Sequence, residues 1–323
     1  MKLIRPGLAV VAVAAALALT GCNSSDTLSS SDKQVGAAQP SAGASASADA
    51  IPTQDVVSGV AEDKKLHDRL PAAIRSSGVL TLGTTEATGS EGLPHSGSDT
   101  SGTQIGLDVD LRNEVAKLLG VRLKVSYGTF ETIVPGTQSG KYDVGQDNFA
   151  VTSQRLPVVD FATYLKDGQG FVAASSSPLT KVTKLTDICG HTVSTTSGSS
   201  FQQILQQGAS QCAKAGLKPY TTKYYPDQSS IVLGLQNGKT DLYFGPTLGD
   251  KYLVAHQPNL KFLGEVSSSD VGFVTAKGSP LAHVLVDAVN ELIQDGTYTK
   301  TFDKWGIAGS GIAKSVFNPK PAF

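Results

Sequence analysis

Short strand-like segments alternate with helix-like segments from about residue 64 onward, and this alternation constrains the fold more than any other feature. Residues 79–83 follow a Ser-Gly break and predict a strand. Residues 108–119 place Leu111 and Val115 on one face, which predicts a helix that ends at Gly120. Such alternation is typical of parallel sheets whose two faces are covered by helices.

The same alternation continues through the second half of the chain. Further strands are predicted at 121–125, 142–146, 192–194, 220–225 and 241–244, and further helices at about 131–139, 200–205 and 229–236. Ligands of sheets built in this way bind beyond the carboxyl ends of the strands. We therefore expect an α/β protein of more than one domain, with a ligand site at those strand ends.

The first residues have the pattern of a secretory signal segment. Lys2 and Arg5 precede an apolar run that closes with Leu-Thr-Gly before Cys22. This exit resembles a bacterial lipobox, which implies a signal peptide over 1–21, acylation of Cys22 and a lipid anchor in the cell membrane, outside the cytoplasm. The alternative is a transmembrane anchor, but a spanning helix needs about 20 apolar residues and this run is shorter.

The residues after Cys22 are mostly Ser, Ala and Gly, and they predict a flexible tether over 22–63. The formal net charge of the whole chain is −1, which favours neither nucleic acid nor an anionic membrane surface as a partner. We expect a monomer that does not bind nucleic acid.

The chain has three cysteines, and Cys22 is assigned to the anchor. Cys189 and Cys212 remain as an even pair, which in an oxidising compartment favours a disulfide over a metal site. Two buried free thiols are the alternative.

A set of short motifs occurs in a fixed order from about Ser76 to Ile312. The motifs are SGVLTLGT at 77–84, IGLDVDL at 105–111, FETIVP at 130–135, SGKYDV at 139–144, TSQR at 152–155, VDF at 159–161, LTDICG at 185–190, SGSS at 197–200, LQNGKTD at 235–241, QDGTY at 294–298 and KWG at 304–306. This ordered set resembles the solute-binding proteins of bacterial polar-amino-acid uptake systems of the ABC type, family 3.

The resemblance implies a two-lobe fold of the periplasmic-binding-protein kind (type II), with parallel or mixed sheets joined by two hinge segments. The first lobe would comprise 64–167 and the return and tail over 271–323, and the second lobe 168–270. The hinges would lie near 167–170 and 269–272. The implied function is capture of an amino acid or a related small polar carboxylate between the lobes, and its delivery to the transmembrane subunits of an ABC permease.

The resemblance assigns the ligand's carboxylate first to Arg155, the arginine of the TSQR motif. A planar guanidinium makes two parallel bonds to a carboxylate, which suits this role. Ser199 and Ser200 open a helix whose N–H groups and hydroxyls also suit a carboxylate. The alternatives are an arginine on a solvated helix face and serines that only cap the helix.

Other candidate ligand-binding residues lie at the rim of the first lobe. Asp147, Asn148 and Ala150 occupy positions where the family usually has small hydroxyl residues, and Asp147 is a departure that would receive a cationic group of the ligand. Phe130 matches one wall of the family's aromatic clamp. The alternatives are a helix-capping role for Asp147 and an ordinary core role for Phe130.

Thr85, Glu86 and Thr88 follow the first strand, where the family places an acidic and an aromatic residue. Thr88 is not aromatic, so one wall of that clamp is missing. Pro246 stands where the family commonly has an aspartate for the ligand's α-ammonium, whereas Asp241 is expected to be structural. Asp147 or Glu86 would then supply the counter-charge, or the ligand is not a standard α-amino acid.

We predict a binding protein without catalytic residues, cofactor or metal. The five histidines are scattered without metal-ligand spacing, and no Gly-x-Ser-x-Gly elbow occurs. The alternatives are a dehydratase-like enzyme on the same scaffold, with Glu86 or Asp147 as its acid, and a sensory or interaction module at the cell surface.

Overall fold

The computed structural model describes residues 51–323. The strands are β1 (Val79–Thr85), β2 (Gly97–Ser98), β3 (Gln104–Ile105), β4 (Arg122–Gly128), β5 (Val144–Gly145), β6 (Val159–Ala174), β7 (Thr192–Thr196), β8 (Thr221–Tyr225), β9 (Leu242–Pro246) and β10 (Leu260–Ala276). The helices are α1 (Lys64–Asp68), α2 (Ala72–Ser77), α3 (Leu107–Leu118), α4 (Phe130–Gln138), α5 (Ser200–Gly208), α6 (Gln211–Lys214), α7 (Gln228–Gln236), α8 (Thr247–His256), α9 (Leu281–Gln294) and α10 (Thr297–Lys304), with 3₁₀ turns at Leu185–Ile188 and Ala308–Ser310.

The predicted signal peptide over 1–21, Cys22 and most of the predicted tether lie outside the described residues. Within residues 51–323, no helix combines the length and the apolar character needed to cross a bilayer. The described end of the predicted tether packs against the first lobe, since Val60 is buried and the Asp63 N–H donates to the Leu118 carbonyl at 2.8 Å.

Eight strands form one mixed sheet in the order β4-β1-β5-β10-β6-β9-β7-β8. At one end, β1 pairs in parallel with β4 and β5, and at the other end β7 pairs in parallel with β8 and β9. The pairs β5–β10, β10–β6 and β6–β9 are antiparallel. The α/β class is confirmed, but parallel pairing occurs only within each end of the sheet. We call the end with β1, β4 and β5 the first lobe and the end with β7, β8 and β9 the second lobe.

Strands β6 and β10 cross between the lobes as one antiparallel ribbon. Residue pairs such as Ala162 with Phe273 belong to the first lobe, and pairs such as Val172 with Phe262 belong to the second. Asp167, in the predicted hinge, pairs with Ser269. Both predicted lobe boundaries, at 167/168 and 270/271, lie inside these two strands; the boundaries themselves stay predictions.

Each lobe has its own apolar core. In the first lobe, the predicted face of α3 packs against α9 and α10, so that Leu111, Val115, Leu285 and Phe302 are buried together. Asp108 and Asp110 in the first turn of α3 and Lys117 in its last turn complement the helix dipole. In the second lobe, the buried rings of Phe171 and Phe244 stack at 4.1 Å between centroids.

The disulfide between Cys189 and Cys212 is confirmed in the second lobe, with their Cα atoms 5.6 Å apart. It ties the 3₁₀ turn before β7 to the short helix α6. Closing a loop of 23 residues in this way stabilises the folded chain by about 3 kcal/mol in the chain-entropy account.

An insert over 86–106 separates β1 from α3 and was not predicted as an element. It contains the two-stranded β2–β3 ribbon, in which Gly97 pairs with Ile105. Gln104 ties the base of the insert, because its side-chain amide donates to the Ala87 carbonyl at 2.8 Å and accepts from the Ala87 N–H at 3.2 Å. The insert thereby lies across the carboxyl end of β1.

Candidate functional site

A cavity of about 510 Å³ lies between the two lobes. The residues that line it are Thr85, Glu86, Ala87, Thr88, Glu91, Gly92, His95, Ser96, Tyr127, Gly128, Thr129, Phe130, Asp147, Asn148, Thr196, Ser199, Ser200, Phe201, Pro226, Asp227, Gln228, Ser229, Tyr243 and Pro246. It lies where the sequence predicts a ligand site, beyond the carboxyl ends of the parallel strands.

The first-lobe wall comes from the ends of β1, β4 and β5. The Thr85 N–H donates to Asp147 Oδ2 at 3.1 Å, which fixes that carboxylate at the strand ends. Burial raises the pKa of Asp147 to about 6, although the hydrogen bond from Thr85 acts in the opposite direction. At neutral pH Asp147 is therefore mostly ionised and presents a negative charge in the cavity.

The second-lobe wall contains the first residues of α5 and α7. Ser199 caps α5, because its hydroxyl accepts from the Gln202 N–H at 3.2 Å and donates to the Thr196 carbonyl at 2.6 Å. Asp227 caps α7 by accepting from the Ser230 N–H at 2.8 Å. Both helices thus direct their N-terminal ends toward the cavity, and the capping interpretation of Ser199 does not exclude a ligand contact.

Eight of the ten predicted ligand-binding residues line this one cavity. They are Thr85, Glu86, Thr88, Phe130, Asp147, Asn148, Ser199 and Ser200. Ala150 and Arg155 do not line it. Their assignment as ligand contacts stays a prediction, as do the other eight.

Arg155 bridges the lobes instead of projecting into the cavity. One guanidinium nitrogen donates to the Ala150 carbonyl of the first lobe and another to the Gly198 carbonyl of the second lobe, both at 3.0 Å. The guanidinium also lies 5.2 Å from the ring centre of Phe149 and 5.6 Å from that of Phe130. Burial lowers the pKa of Arg155 to about 10, against the opposing charge of Asp147, so it stays protonated at neutral pH.

His95 of the insert was missed by the sequence reasoning, although it lines the cavity. Its Nε2 lies 3.0 Å from Asp167 Oδ2 on the crossing strand β6. The carboxylate of Asp167 also accepts from Asn148 Nδ2 at 3.1 Å and from the Leu248 N–H at 3.1 Å. Asp167 therefore joins the insert, the rim of the first lobe and the start of α8 at the predicted hinge.

The contact with Asp167 explains both the position of His95 and the direction in which its pKa is shifted. Burial lowers the pKa of His95, but the hydrogen bond and charge of Asp167, with the charges of Asp108 and Asp147, raise it more, so the net shift is upward. No sequence motif connects His95 to Asp167, because the two are 72 residues apart and meet only in the fold.

The charged groups of the lining are almost all acidic. Glu86, Glu91, Asp147 and Asp227 contribute carboxylates, and His95 is the one basic side chain among the lining residues, with no Lys or Arg. Pro246 is also in the lining and carries no charge. Asp241 lies outside the lining and accepts from the Thr192 N–H at 2.7 Å, in agreement with a structural role. Such a cavity attracts cationic groups.

The family model of bacterial extracellular solute-binding proteins, family 3, matches residues 87–308 of the chain. The arginine-binding protein ArgT of Corynebacterium glutamicum is 23% identical over 263 residues, which cover 80% of this chain and 84% of that protein. The arginine-binding periplasmic protein of Mannheimia haemolytica is 24% identical over 222 residues, which cover 66% of this chain and 86% of that protein.

Among solved structures, an ancestral arginine-binding protein bound to arginine is 30% identical, with a TM-score of 0.63, over 71% of this chain and 98% of that one. This similarity confirms the predicted two-lobe fold of the periplasmic-binding-protein kind (type II).

Proposed function

The chain belongs to family 3 of the bacterial extracellular solute-binding proteins, and from this premise we propose that it captures a cationic amino acid and delivers it to an ABC permease. The family confirms a solute-binding role and the prediction of a binding protein rather than an enzyme. The transmembrane subunits of the permease are then its protein partner, and the chain works as a monomer without a cofactor.

The excess of carboxylates in the cavity is the observation that carries this proposal. Four lining residues are acidic and neither lysine nor arginine lines the cavity. An amino acid with a cationic side chain has two positive groups and one carboxylate, so it matches such a lining better than a neutral or acidic amino acid. The similarity to arginine-binding proteins supports the same class of ligand.

Asp147 is assigned to the α-ammonium group of the ligand. Its position at the strand ends and its ionised state at neutral pH suit this role, and Pro246 supplies no carboxylate at its own position on the opposite wall. A charge-assisted hydrogen bond of this kind contributes about 1.5–3 kcal/mol.

The proposal places the protein outside the cytoplasm, anchored by lipid on Cys22 to the cell membrane. The disulfide Cys189–Cys212 supports an oxidising compartment, because such bonds are rare in the cytoplasm. The part of the predicted tether that precedes residue 51 then connects the anchor to the folded lobes.

Thermal unfolding of the purified full chain with single amino acids tests the proposal. We expect L-arginine, L-lysine or L-ornithine, at about 100 times its Kd, to raise the Tm by about 5 °C, and L-glutamate to have no effect. Asp147→Asn lowers the affinity for the bound amino acid about 10- to 100-fold. Asp303→Asn, on the exposed face of α10, is the matched control. A Tm raised by L-glutamate alone contradicts the assignment.

A further inference from the structure

The insert over 86–106 forms one wall of the cavity with a fixed backbone. Besides the Gln104 bonds at its base, the Ser98 N–H donates to the Gly89 carbonyl at 2.8 Å and the Ser98 hydroxyl accepts from the Gly89 N–H at 2.8 Å. His95 ties the middle of the insert to Asp167. The backbone of this wall is therefore held in place before a ligand arrives.

Glu91 lies at the point where the insert meets the second lobe. The side-chain amide of Gln228, the first residue of α7, donates to the Glu91 carbonyl oxygen at 2.8 Å. This bond joins the lobes and holds the Glu91 backbone at the cavity wall.

The carboxylate of Glu91 has no hydrogen-bond or ion-pair partner within residues 51–323, and its Oε2 is buried. Two of the other three acids in the lining are already engaged, since Asp147 accepts from the Thr85 N–H and Asp227 caps α7. The third, Glu86, is exposed, so its carboxylate has no buried oxygen that needs a partner. The Glu91 Oε1 is not buried, so a cationic group in the cavity can reach this carboxylate and offset the free-energy cost of the buried, unpartnered Oε2.

We infer that Glu91 binds the side-chain cation of the captured amino acid and thereby selects cationic over neutral side chains. This inference rests on the proposed function, in which Asp147 binds the α-ammonium. The two carboxylates come from different elements, Asp147 from the end of β5 and Glu91 from the insert. Asp147 would bind the α-ammonium group and Glu91 the side-chain cation of the same ligand.

L-arginine and L-citrulline are the probes that separate the two roles. Citrulline has the shape of arginine with a neutral urea group in place of the guanidinium, so only arginine would gain from a carboxylate at the side-chain end. Binding of both to the full chain is measured by titration calorimetry for the wild type, Glu91→Gln and Glu291→Gln. Glu291, on α9 and outside the cavity lining, is the matched control.

We expect Glu91→Gln to lower the affinity for arginine about 10- to 100-fold and to change the affinity for citrulline less than about 2-fold. The preference for arginine over citrulline then falls by the same factor, whereas Glu291→Gln leaves it unchanged. A loss of both affinities by equal factors, or no loss, overturns the role of Glu91. If wild-type protein binds neither L-arginine nor L-lysine, the proposed function fails, and this inference fails with it.

Discussion

Glu114 is a fully buried acid that the ligand site does not use. It lies on α3 against α10, where the Thr301 hydroxyl donates to Oε1, and its Oε2 has no partner in the described part of the chain. Burial raises the pKa of Glu114 to about 8, with a smaller opposing effect of the Thr301 hydrogen bond. The carboxyl is therefore mostly protonated at neutral pH.

Because of the buried carboxyl of Glu114, we predict that the free energy of unfolding falls as the pH rises. The pKa in the folded state lies above the ordinary value of 4.5, so the contribution is complete below about pH 4.5 and is lost as the pH approaches 8. We expect the free energy of unfolding to fall by a few kcal/mol over that window, and Glu114→Gln to remove this loss, since glutamine cannot ionise. Urea unfolding at several pH values between about 4.5 and 8 measures the free energy of unfolding of the wild type and of Glu114→Gln. Glu131→Gln, at an exposed acid, serves as control, and a slope that Glu114→Gln leaves unchanged refutes the prediction.

Single residues were predictable from the sequence where a motif carried them. Ser199 lies in the SGSS motif, Asp147 lies between the SGKYDV and TSQR motifs, and both line the cavity. His95 and Glu91 occur in an insert without a motif, and their positions depend on Asp167 and Gln228, which are far away in the sequence. A pattern read along one chain does not contain such contacts.

At the scale of elements, the start of α5 approaches the start of α4 across the cavity. Gly198 has a φ of +72°, and a Cβ atom there would lie 2.7 Å from Glu131 Cβ and 2.9 Å from its Cα. The Gly198 carbonyl also accepts the hydrogen bond from Arg155. Only glycine combines this backbone conformation with such a close approach.

Gly198→Ala is expected to hinder closure of the lobes. Its methyl group would collide with Glu131, in addition to a backbone cost of about 1–2 kcal/mol for a positive φ. The affinity for L-arginine should fall at least about 10-fold, because closure buries the ligand. Gly216→Ala is a close control, since Gly216 has a φ of +71° and a Cβ atom there would meet no other atom within 4 Å. Equal affinities of the two variants would exclude a role of the contact with Glu131.

Most helices and short strands match the sequence prediction, because their apolar spacing is regular. The prediction of 108–119 as a helix corresponds to α3, and that of 229–236 to α7. The long strands β6 and β10 were not recognised, since glycines interrupt their pattern. Gly170 shows why a glycine is needed in such a strand, because a Cβ atom there would lie 2.6 Å from the ring of Phe262 on the neighbouring strand.

At the scale of the whole molecule, the two-lobe architecture was predictable from the order of the motifs, whereas the continuous sheet was not. Pairing of β6 with both β10 and β9 depends on contacts between residues far apart in the sequence, from 69 positions for Ala173 with Leu242 to 117 positions for Val159 with Ala276. Alternation of strands and helices indicates the class of fold but does not determine which strands cross between lobes.

The proposed lipid anchor on Cys22 makes a prediction about the mass of the mature chain. We expect the wild-type protein from membranes to lack residues 1–21 and to carry lipid on Cys22, and Cys22→Ser to keep those residues and to carry none, because no thiol is left to acylate. Intact mass spectrometry of membrane extracts measures both, and Ser25→Ala, just beyond the lipobox, is the control. Wild-type protein with residues 1–21 still attached and no lipid would favour the transmembrane anchor.

The ribbon of β6 and β10 has a consequence for the exchange of ligand with the surrounding solution. Its register shifts between Phe262 and Gly264, between Glu265 and Ser267 and between Val271 and Gly272, so the regular pairing is interrupted three times along the ribbon. Two strands that are hydrogen-bonded to each other cannot bend independently. The lobes can therefore move apart in only a few directions. A substitution at any of the three irregularities should then change the rates of ligand entry and exit together, even where it touches no ligand atom.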